Sequence, residues 1–367
     1  MNSTTATEDA DRTVALVDPA SHTSTRETRM LPYLGSQPPW FVFLGHPRDR
    51  RDLHSIGGSS LIFDHSEDED EFEEKLCSLP PTVVGGITFG FAPIRGEMIC
   101  VMRMPNQILR AREAIREGVR IAAGRGAKVV GLGALTAPAT RGGRLLLDTL
   151  PPGVTLTNGN AYTAAVARRN VLEAAEYLGL GTDATVAVVG CTGSVGTAAS
   201  RLLAEDGFEL ILVGRSERRV QRELADLCDD HTVASGQSEL KAAQVILLLT
   251  SDSTARLVPE VVQPGAIVID LTHPRNIDPS EFPAFLEHDV QVAQGGQVVI
   301  PDYHNTMELQ LAEGRNTIAC LAETYLFAKE GITEHSVGNP PIELARELNE
   351  IAEFHDVHSA RLNLTPR

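Results

Sequence analysis

The sequence predicts an α/β protein: a doubly wound parallel sheet, preceded by a smaller N-terminal α/β domain and followed by C-terminal helices that pack back on it. From Ala184 onward short apolar runs alternate with helical stretches, the pattern of strands buried on both faces by crossover helices. A glycine triplet stands between the first of those strands and the first helix. At 367 residues the chain is long enough for two domains and a tail.

In chain order, residues 1–38 are rich in Ser, Thr, Asp and Glu without periodicity and predict a disordered acidic tail. The N-terminal domain, 39–182, opens on an apolar strand, Trp40 to Leu44, stopped by Gly45-His46-Pro47. The acidic run Ser66 to Lys75 opens a helix, its carboxylates suiting the positive end of the dipole. Strands at Thr82–Phe91 and Glu97–Met104, a helix from Pro105 to about Ala123 and a strand at Lys128–Leu132 follow. The turn Thr157–Ala161 then leads into a bridging helix, Tyr162–Leu178, closed by Gly179. In the next domain, 183–302, strands fall at Thr185–Val189, Glu209–Val213, Gln244–Thr250, Ala266–Leu271 and near Val290–Val299. The remainder, 303–367, begins with helices at about His304–Glu313 and Ile318–Lys329, closed by Gly314 and Gly331.

Composition narrows the function classes. With 42% hydrophobic and 22% charged residues the chain is that of an ordered globular protein, and its net charge of −17 disfavours sequence-blind binding to nucleic acid or to an anionic membrane. The longest apolar run, Val245–Leu249, is too short to span a bilayer. Five scattered cysteines without Cys-x-x-Cys pairs or zinc spacing predict neither a disulfide framework nor a structural metal. The polar, acidic N-terminus is unlike a secretory signal, so a reducing cytoplasm is the expected setting.

The glycine triplet lies in Val189-Gly190-Cys191-Thr192-Gly193-Ser194-Val195-Gly196. Gly190 permits the tight turn, Gly193 lets backbone N–H groups approach a pyrophosphate, and Gly196 lets helix and sheet pack closely, so the domain reads as Rossmann-type. Thr192, Ser194 and Val195, in the turn and at the start of the helix, and Thr250, at the end of a later strand, complete the expected cofactor site. The second strand ends in Arg215-Ser216, with Arg218 and Arg219 beyond, where an NAD site carries an acid. Guanidinium clamps a 2′-phosphate that a carboxylate would repel, so NADPH is the expected cofactor. Exposed arginines opening a helix are the alternative for Arg218 and Arg219.

Cys320 is the candidate nucleophile. It falls in the first turn of a predicted helix, where unpaired N–H groups and the dipole favour a thiolate. The apolar stripe of Ile318, Leu321, Ala322, Tyr325 and Leu326 offers the competing reading, a cysteine buried in the core. On the helix after Pro105, Arg112, Arg116 and Arg120 recur every four residues: either a basic ridge for an acidic partner or a solvated face paired with Glu113 and Glu117.

The sequence resembles the long-chain acyl-(acyl-carrier-protein) reductases that make fatty aldehydes in cyanobacteria. The likeness is carried by Phe43-Leu44-Gly45-His46, Met104-Pro105, Gly131-Leu132-Gly133-Ala134, Thr157 to Ala164, Ala187 to Gly196 and Ile318-Ala319-Cys320-Leu321-Ala322-Glu323. It spans about residues 41–332. The last stretch is similar to that family's Ala-Cys-Phe-Ala-Glu segment, whose cysteine carries the acyl group. The resemblance therefore implies NADPH-dependent reduction of a fatty acyl thioester to an aldehyde through an acyl-enzyme at Cys320, with acyl carrier protein as the partner. The acidic tail and a shorter connection between Gly296 and Cys320 depart from the family. A second, local likeness, Ile269 to Asp278, is to glutamyl-tRNA reductase, which also reduces a cysteine-bound acyl group with NADPH.

His273 and His304 are the candidate acids, because their predicted positions flank the end of the sheet where ligands bind in such folds. Asn160 and Thr163 either line the cleft or cap the bridging helix. Three other readings stay open: a shikimate-type dehydrogenase without a covalent step, an NADPH-binding sensor, and a scaffold that binds a carrier protein.

Overall fold

The computed structural model describes residues 40–54, 56, 65–250, 256–307, 309, 311 and 316–365. The predicted acidic tail, 1–38, lies outside the described residues. In the N-terminal half, strands β1 (Trp40–Gly45), β2 (Thr82–Phe89), β3 (Arg95–Cys100), β4 (Val129–Leu132) and β5 (Thr155–Thr157) share one sheet with helices α1 (Glu69–Ser78) and α2 (Arg112–Gly124). β3, β1, β4 and β5 run parallel, and β2 pairs antiparallel with β3. Phe41, Val42, Phe43 and Leu44 are all buried, Phe41 and Phe43 in one core cluster and Val42 and Leu44 in the other, as a strand covered on both faces requires. Helix α1 begins where its acidic run predicts, with the Asp68 carboxylate accepting from Glu71 N at 2.9 Å. The helix expected after Pro105 is two pieces, Pro105–Ile108 and α2.

Helix α3 (Asn160–Tyr177) leads into the second sheet, whose strands are β6 (Thr185–Val189), β7 (Glu209–Val213), β8 (Thr232–Ala234), β9 (Val245–Leu248), β10 (Ile267–Asp270) and β11 (Gln291–Gln294). Helices α4 (Ser194–Glu205) and α5 (Glu217–Glu223) connect the first of them. All six strands are parallel, in the order β11-β10-β9-β6-β7-β8. The order reverses beside β6, so this is the doubly wound Rossmann topology, with its ligand crevice at the carboxyl ends next to that strand. Val186 and Val188 of β6 pack on one face and Ala187 on the other.

The C-terminal part holds β12 (Gln297–Val299), β13 (Tyr303–Asn305), β14 (Asn316–Ile318), α6 (Ala319–Glu330), α7 (Ile342–Phe354) and β15 (His358–Ser359). The single strand expected near Val290–Val299 is two, β11 and β12, and β12 joins β14 and β15 in a small separate sheet. The helix expected at His304–Glu313 is corrected at its start. Tyr303–Asn305 adds antiparallel to β2 at the edge of the N-terminal sheet, Tyr303 facing the core and His304 the solvent; residues 308, 310 and 312–315 are outside the described set. Helix α6 lies across β4, held close by glycine, for a Cβ on Gly131 would stand 2.8 Å from Thr324 Cβ. Among the described residues no helix is long and apolar enough to cross a membrane.

Candidate active site

The glycine turn has the shape a dinucleotide needs. Gly190 has φ +93°, and a Cβ there would meet Thr250 N at 2.9 Å. A Cβ on Gly196 would stand 2.8 Å from Cys191 Cα, so helix α4 can approach the turn only without one. Gly193 N donates to Gly190 O at 2.9 Å and closes the loop before α4. Ser194 and Val195 open that helix, where N–H groups have no carbonyl four residues back and suit a pyrophosphate. The Ser194 hydroxyl, by contrast, donates to Gly338 O at 2.5 Å, and Asn158 Nδ2 donates to the same carbonyl at 2.8 Å.

At the end of β7, Arg215 and Ser216 are exposed beside this turn. Arg219 reaches back further, its Nη2 donating to Thr192 O at 3.4 Å. The sequence pattern ranks Arg215 above Arg219, yet Arg219 is the one anchored to the glycine turn. Cys191 is fully buried, and burial pushes its thiol up to about 12, which suits a packing residue.

Cys320 is the second residue of α6 and half-buried. Gly159, at φ +73° ahead of α3, leaves room for it: a Cβ there would stand 2.6 Å from Cys320 Cα. Backbone N–H groups of Leu321, Cys320 itself and Ala134 reach the sulfur and favour its charged form. Burial nevertheless dominates and, with the Glu323 carboxylate adding, pushes the thiol up to about 12. The expectation that the helix start lowers this pKa is thus corrected for the free protein, because desolvation outweighs the amides. Alkylation of Cys320 by iodoacetamide should accordingly rise about tenfold per pH unit from pH 7 to 10. A plateau below pH 9 would contradict this.

Ala134 adopts φ +48°, an uncommon conformation for a residue with a Cβ, and it turns its N–H toward Cys320. His46 holds that turn: Leu135 N donates to its Nε2 at 3.2 Å, and its Nδ1 donates to Pro47 O at 2.8 Å. Burial lowers the His46 pKa to about 4, so the ring is neutral and both nitrogens are engaged. Glu323, buried one helical turn beyond Cys320, accepts from Tyr162 N at 2.7 Å and from the Thr157 hydroxyl. Burial raises its pKa against these bonds. It thereby joins the start of α6 to the start of α3. Thr163 donates to Gly159 O at 2.6 Å, and Asn160 N donates to Asn158 Oδ1 at 3.1 Å. Both contacts lie within the start of α3.

His273 is carried by a loop built on one carboxylate. Asp270, at the end of β10, accepts from Thr272 N, Thr272 Oγ1, Asn276 N and Ile277 N at 2.6–3.0 Å. The loop brings His273 into a cavity of about 50 Å³ with His46, Arg48, Ala134 and Ile318, walled by Phe43, Val84, Met98 and Met307. His273 Nδ1 is buried without a partner among the described residues. Burial, with Arg48 and Arg275 nearby, lowers its pKa to about 3, so the imidazole is neutral. The cavity thus joins residues following β1, β4 and β10 to the strand that precedes Cys320. His304, pointing to solvent from an edge strand, does not line it.

Two of the three ridge arginines, Arg116 and Arg120, are paired. Arg116 donates to Asp148 Oδ1, Thr149 Oγ1 and Leu145 O at 2.5–2.9 Å, tying α2 to the turn at Arg144–Thr149. Arg120 pairs with Glu117 at 3.0 Å. The cations of these two are largely spent on these contacts.

Comparison with known proteins agrees on the cofactor half. The semialdehyde dehydrogenase NAD-binding domain family matches residues 185–310. The chain is 27% identical over 294 residues to aminotransferase PigE of Serratia sp., covering 77% of this chain and 33% of that protein. It is 29% identical over 195 residues to the long-chain acyl-[acyl-carrier-protein] reductase of Synechococcus elongatus, covering 51% of this chain and 56% of that one. The chain thus spans about a third and just over half of these relatives. Among solved structures, quinate dehydrogenase of Corynebacterium glutamicum with NAD aligns at TM-score 0.38 and 12% identity, covering 85% of this chain and 98% of that one. D-lactate dehydrogenase of Lactobacillus jensenii with NAD+ aligns at TM-score 0.34 and 12% identity, covering 86% and 94%. The second sheet is an NAD(P)-binding domain of the dehydrogenase type.

Proposed function

We propose that the chain is an NADPH-dependent reductase that converts a fatty acyl thioester, carried on acyl carrier protein, to an aldehyde through an acyl-enzyme at Cys320. The observation that carries this reading is the setting of Cys320: a thiol at a helix start, faced by the Ala134 N–H from a left-handed turn, beside the cavity that His273 closes from the Rossmann side. The partial match to the cyanobacterial reductase supports it.

In this reading the Cys320 thiol loses its proton to water and its sulfur attacks the thioester carbonyl. The carrier sulfur then leaves and takes up a proton from water. The N–H groups of Ala134 and Leu321 receive the carbonyl oxygen as it gains charge, as in an oxyanion hole. Bound NADPH supplies the hydride to the acyl carbon. The resulting hemithioacetal alkoxide expels the Cys320 thiolate as aldehyde forms, and the thiolate recovers a proton from water. Met98 and Met307, adaptable in shape, line the path for the first methylenes of the chain.

The test is a stoichiometric assay: NADPH oxidation with acyl-carrier-protein thioester, aldehyde read by mass spectrometry. One aldehyde per NADPH supports the reading, and NADPH oxidation without aldehyde, or no NADPH oxidation with the thioester, refutes it. NADPH should also bind more tightly than NADH. Arg215→Ala should remove about 1.5–3 kcal/mol, about one to two orders of magnitude in affinity. Equal dissociation constants for the two cofactors in the unmodified protein contradict the assignment of Arg215.

A further inference from the structure

Strands β3, β1 and β4 run parallel, so the chain leaves β3 and β4 at the same end of the N-terminal sheet. Residues 109–112 follow the first and residues 141–149 the second. Arg116 joins them, donating from α2 to Leu145 O and Asp148 Oδ1, and Arg112 lies one helical turn before it on the same face. Arg110, Arg112, Arg141 and Arg144 are exposed here, and none has an ion pair or a side-chain hydrogen bond among the described residues. The carboxylates of these segments, Glu113 and Asp148, both face Arg116. Five guanidinium groups against two carboxylates leave a local surplus of positive charge in a chain of net charge −17. Leu109 and Leu147, 48% and 37% exposed, add apolar surface among the cations.

This face is continuous with the site. Ala134, whose N–H faces Cys320, begins the segment that reaches Arg141. Asn158 Nδ2 donates to Gly142 O at 3.1 Å, and the next residue, Gly159, stands against Cys320. We propose that the four arginines and two leucines are the docking surface for an acidic acyl carrier protein, which lands here and presents its thioester to Cys320. Guanidinium groups with no internal carboxylate draw an acidic partner and speed its encounter, and the leucines give that partner's apolar side chains a seat. The assignment rests on the thioester reading above and names the surface by which the donor is held.

The experiment is fluorescence anisotropy of labelled acyl carrier protein, bearing its phosphopantetheine but no acyl group, titrated with the full chain. Binding is thereby read without chemistry. It should weaken at least about tenfold between about 50 and 300 mM salt. Arg112→Glu and Arg141→Gly should each weaken it about three- to tenfold at low salt. Glycine suits the second position, where φ is +53°. Arg120→Glu makes the same charge change on the same helix at a cation already paired with Glu117, and should alter affinity less than about twofold. Reduction of an acyl-N-acetylcysteamine thioester, which has no carrier, should be unchanged in all three variants. Salt-insensitive binding, or affinity unchanged in both Arg112→Glu and Arg141→Gly, overturns the surface. An equal loss in Arg120→Glu also overturns it, as an effect of overall charge. Anionic phospholipid vesicles bound as tightly, and lost in the same variants, reassign the face to a membrane and overturn the carrier. If the carrier binds in the expected pattern while no thioester acylates Cys320, the surface stands and only the thioester reading fails. If the small thioester is reduced while the carrier does not bind, the surface alone fails.

Discussion

Cys320→Ser should lower aldehyde formation by about a thousandfold or more while leaving the NADPH dissociation constant unchanged. Serine preserves the volume beside Gly159 and the hydrogen-bond capacity toward the Ala134 amide, so the start of α6 should keep its place. What disappears is the nucleophile, because an alcohol is far harder to ionise than a thiol, even one that burial has pushed up to about 12. Aldehyde yield and NADPH fluorescence titration measure the two arms. Turnover retained within tenfold would return Cys320 to the apolar packing of Ile318 and Leu321. Parallel loss of NADPH binding would mean that the substitution had disturbed the fold.

Gly159→Ala should be the most damaging single methyl near the site. It combines a backbone at φ +73° with a Cβ that has to enter Cys320, and either α3 or α6 must move. The left-handed conformation costs about 1–2 kcal/mol, and overpacking adds about 1–3. Gly207→Ala isolates the first term, since Gly207 has φ +91° and nothing within 4 Å of a Cβ. Urea unfolding midpoints should fall clearly further for Gly159→Ala than for Gly207→Ala, with loss of acylation only in the former. Equal midpoints would show that the two helix starts have room to separate.

The Rossmann half is legible because its signals are local. Val186–Val188 read as a buried strand, three glycines follow at the right spacing, and Gly190 and Gly196 each meet backbone that excludes a side chain. The C-terminal part is harder, since β12, β14 and β15 are two or three residues long and are held by pairing with segments distant in sequence. His304 follows the same logic: polar neighbours with some helical character become an edge strand once β2 offers its hydrogen bonds. Within the site, position at a helix start and the family resemblance make Cys320 a candidate, but the contacts that decide its ionisation are tertiary. The Ala134 amide, the Glu323 carboxylate and the burial itself come from elements that the sequence separates or places on a face that could equally be core. His46 and Asp270 fall in the stretches Phe43–His46 and Ile269–Asp278 that carry the resemblances, but no spacing assigns either a role. Their importance shows only when Leu135 N is found on the His46 ring and four donors converge on the Asp270 carboxylate.

The central claim, covalent acylation at Cys320, is tested most directly by intact-protein and peptide mass spectrometry after mixing the protein with acyl thioester in the absence of NADPH. Without hydride, the acyl-cysteine can only hydrolyse or return to the carrier thiol, so it should accumulate. The account predicts a mass increase of one acyl group, mapped to the peptide containing Cys320, retained in Cys191→Ser and Cys228→Ser, absent in Cys320→Ser, and discharged as aldehyde when NADPH is added. An adduct mapped to any other cysteine, or aldehyde formed at full rate with no adduct at any cysteine, would contradict it.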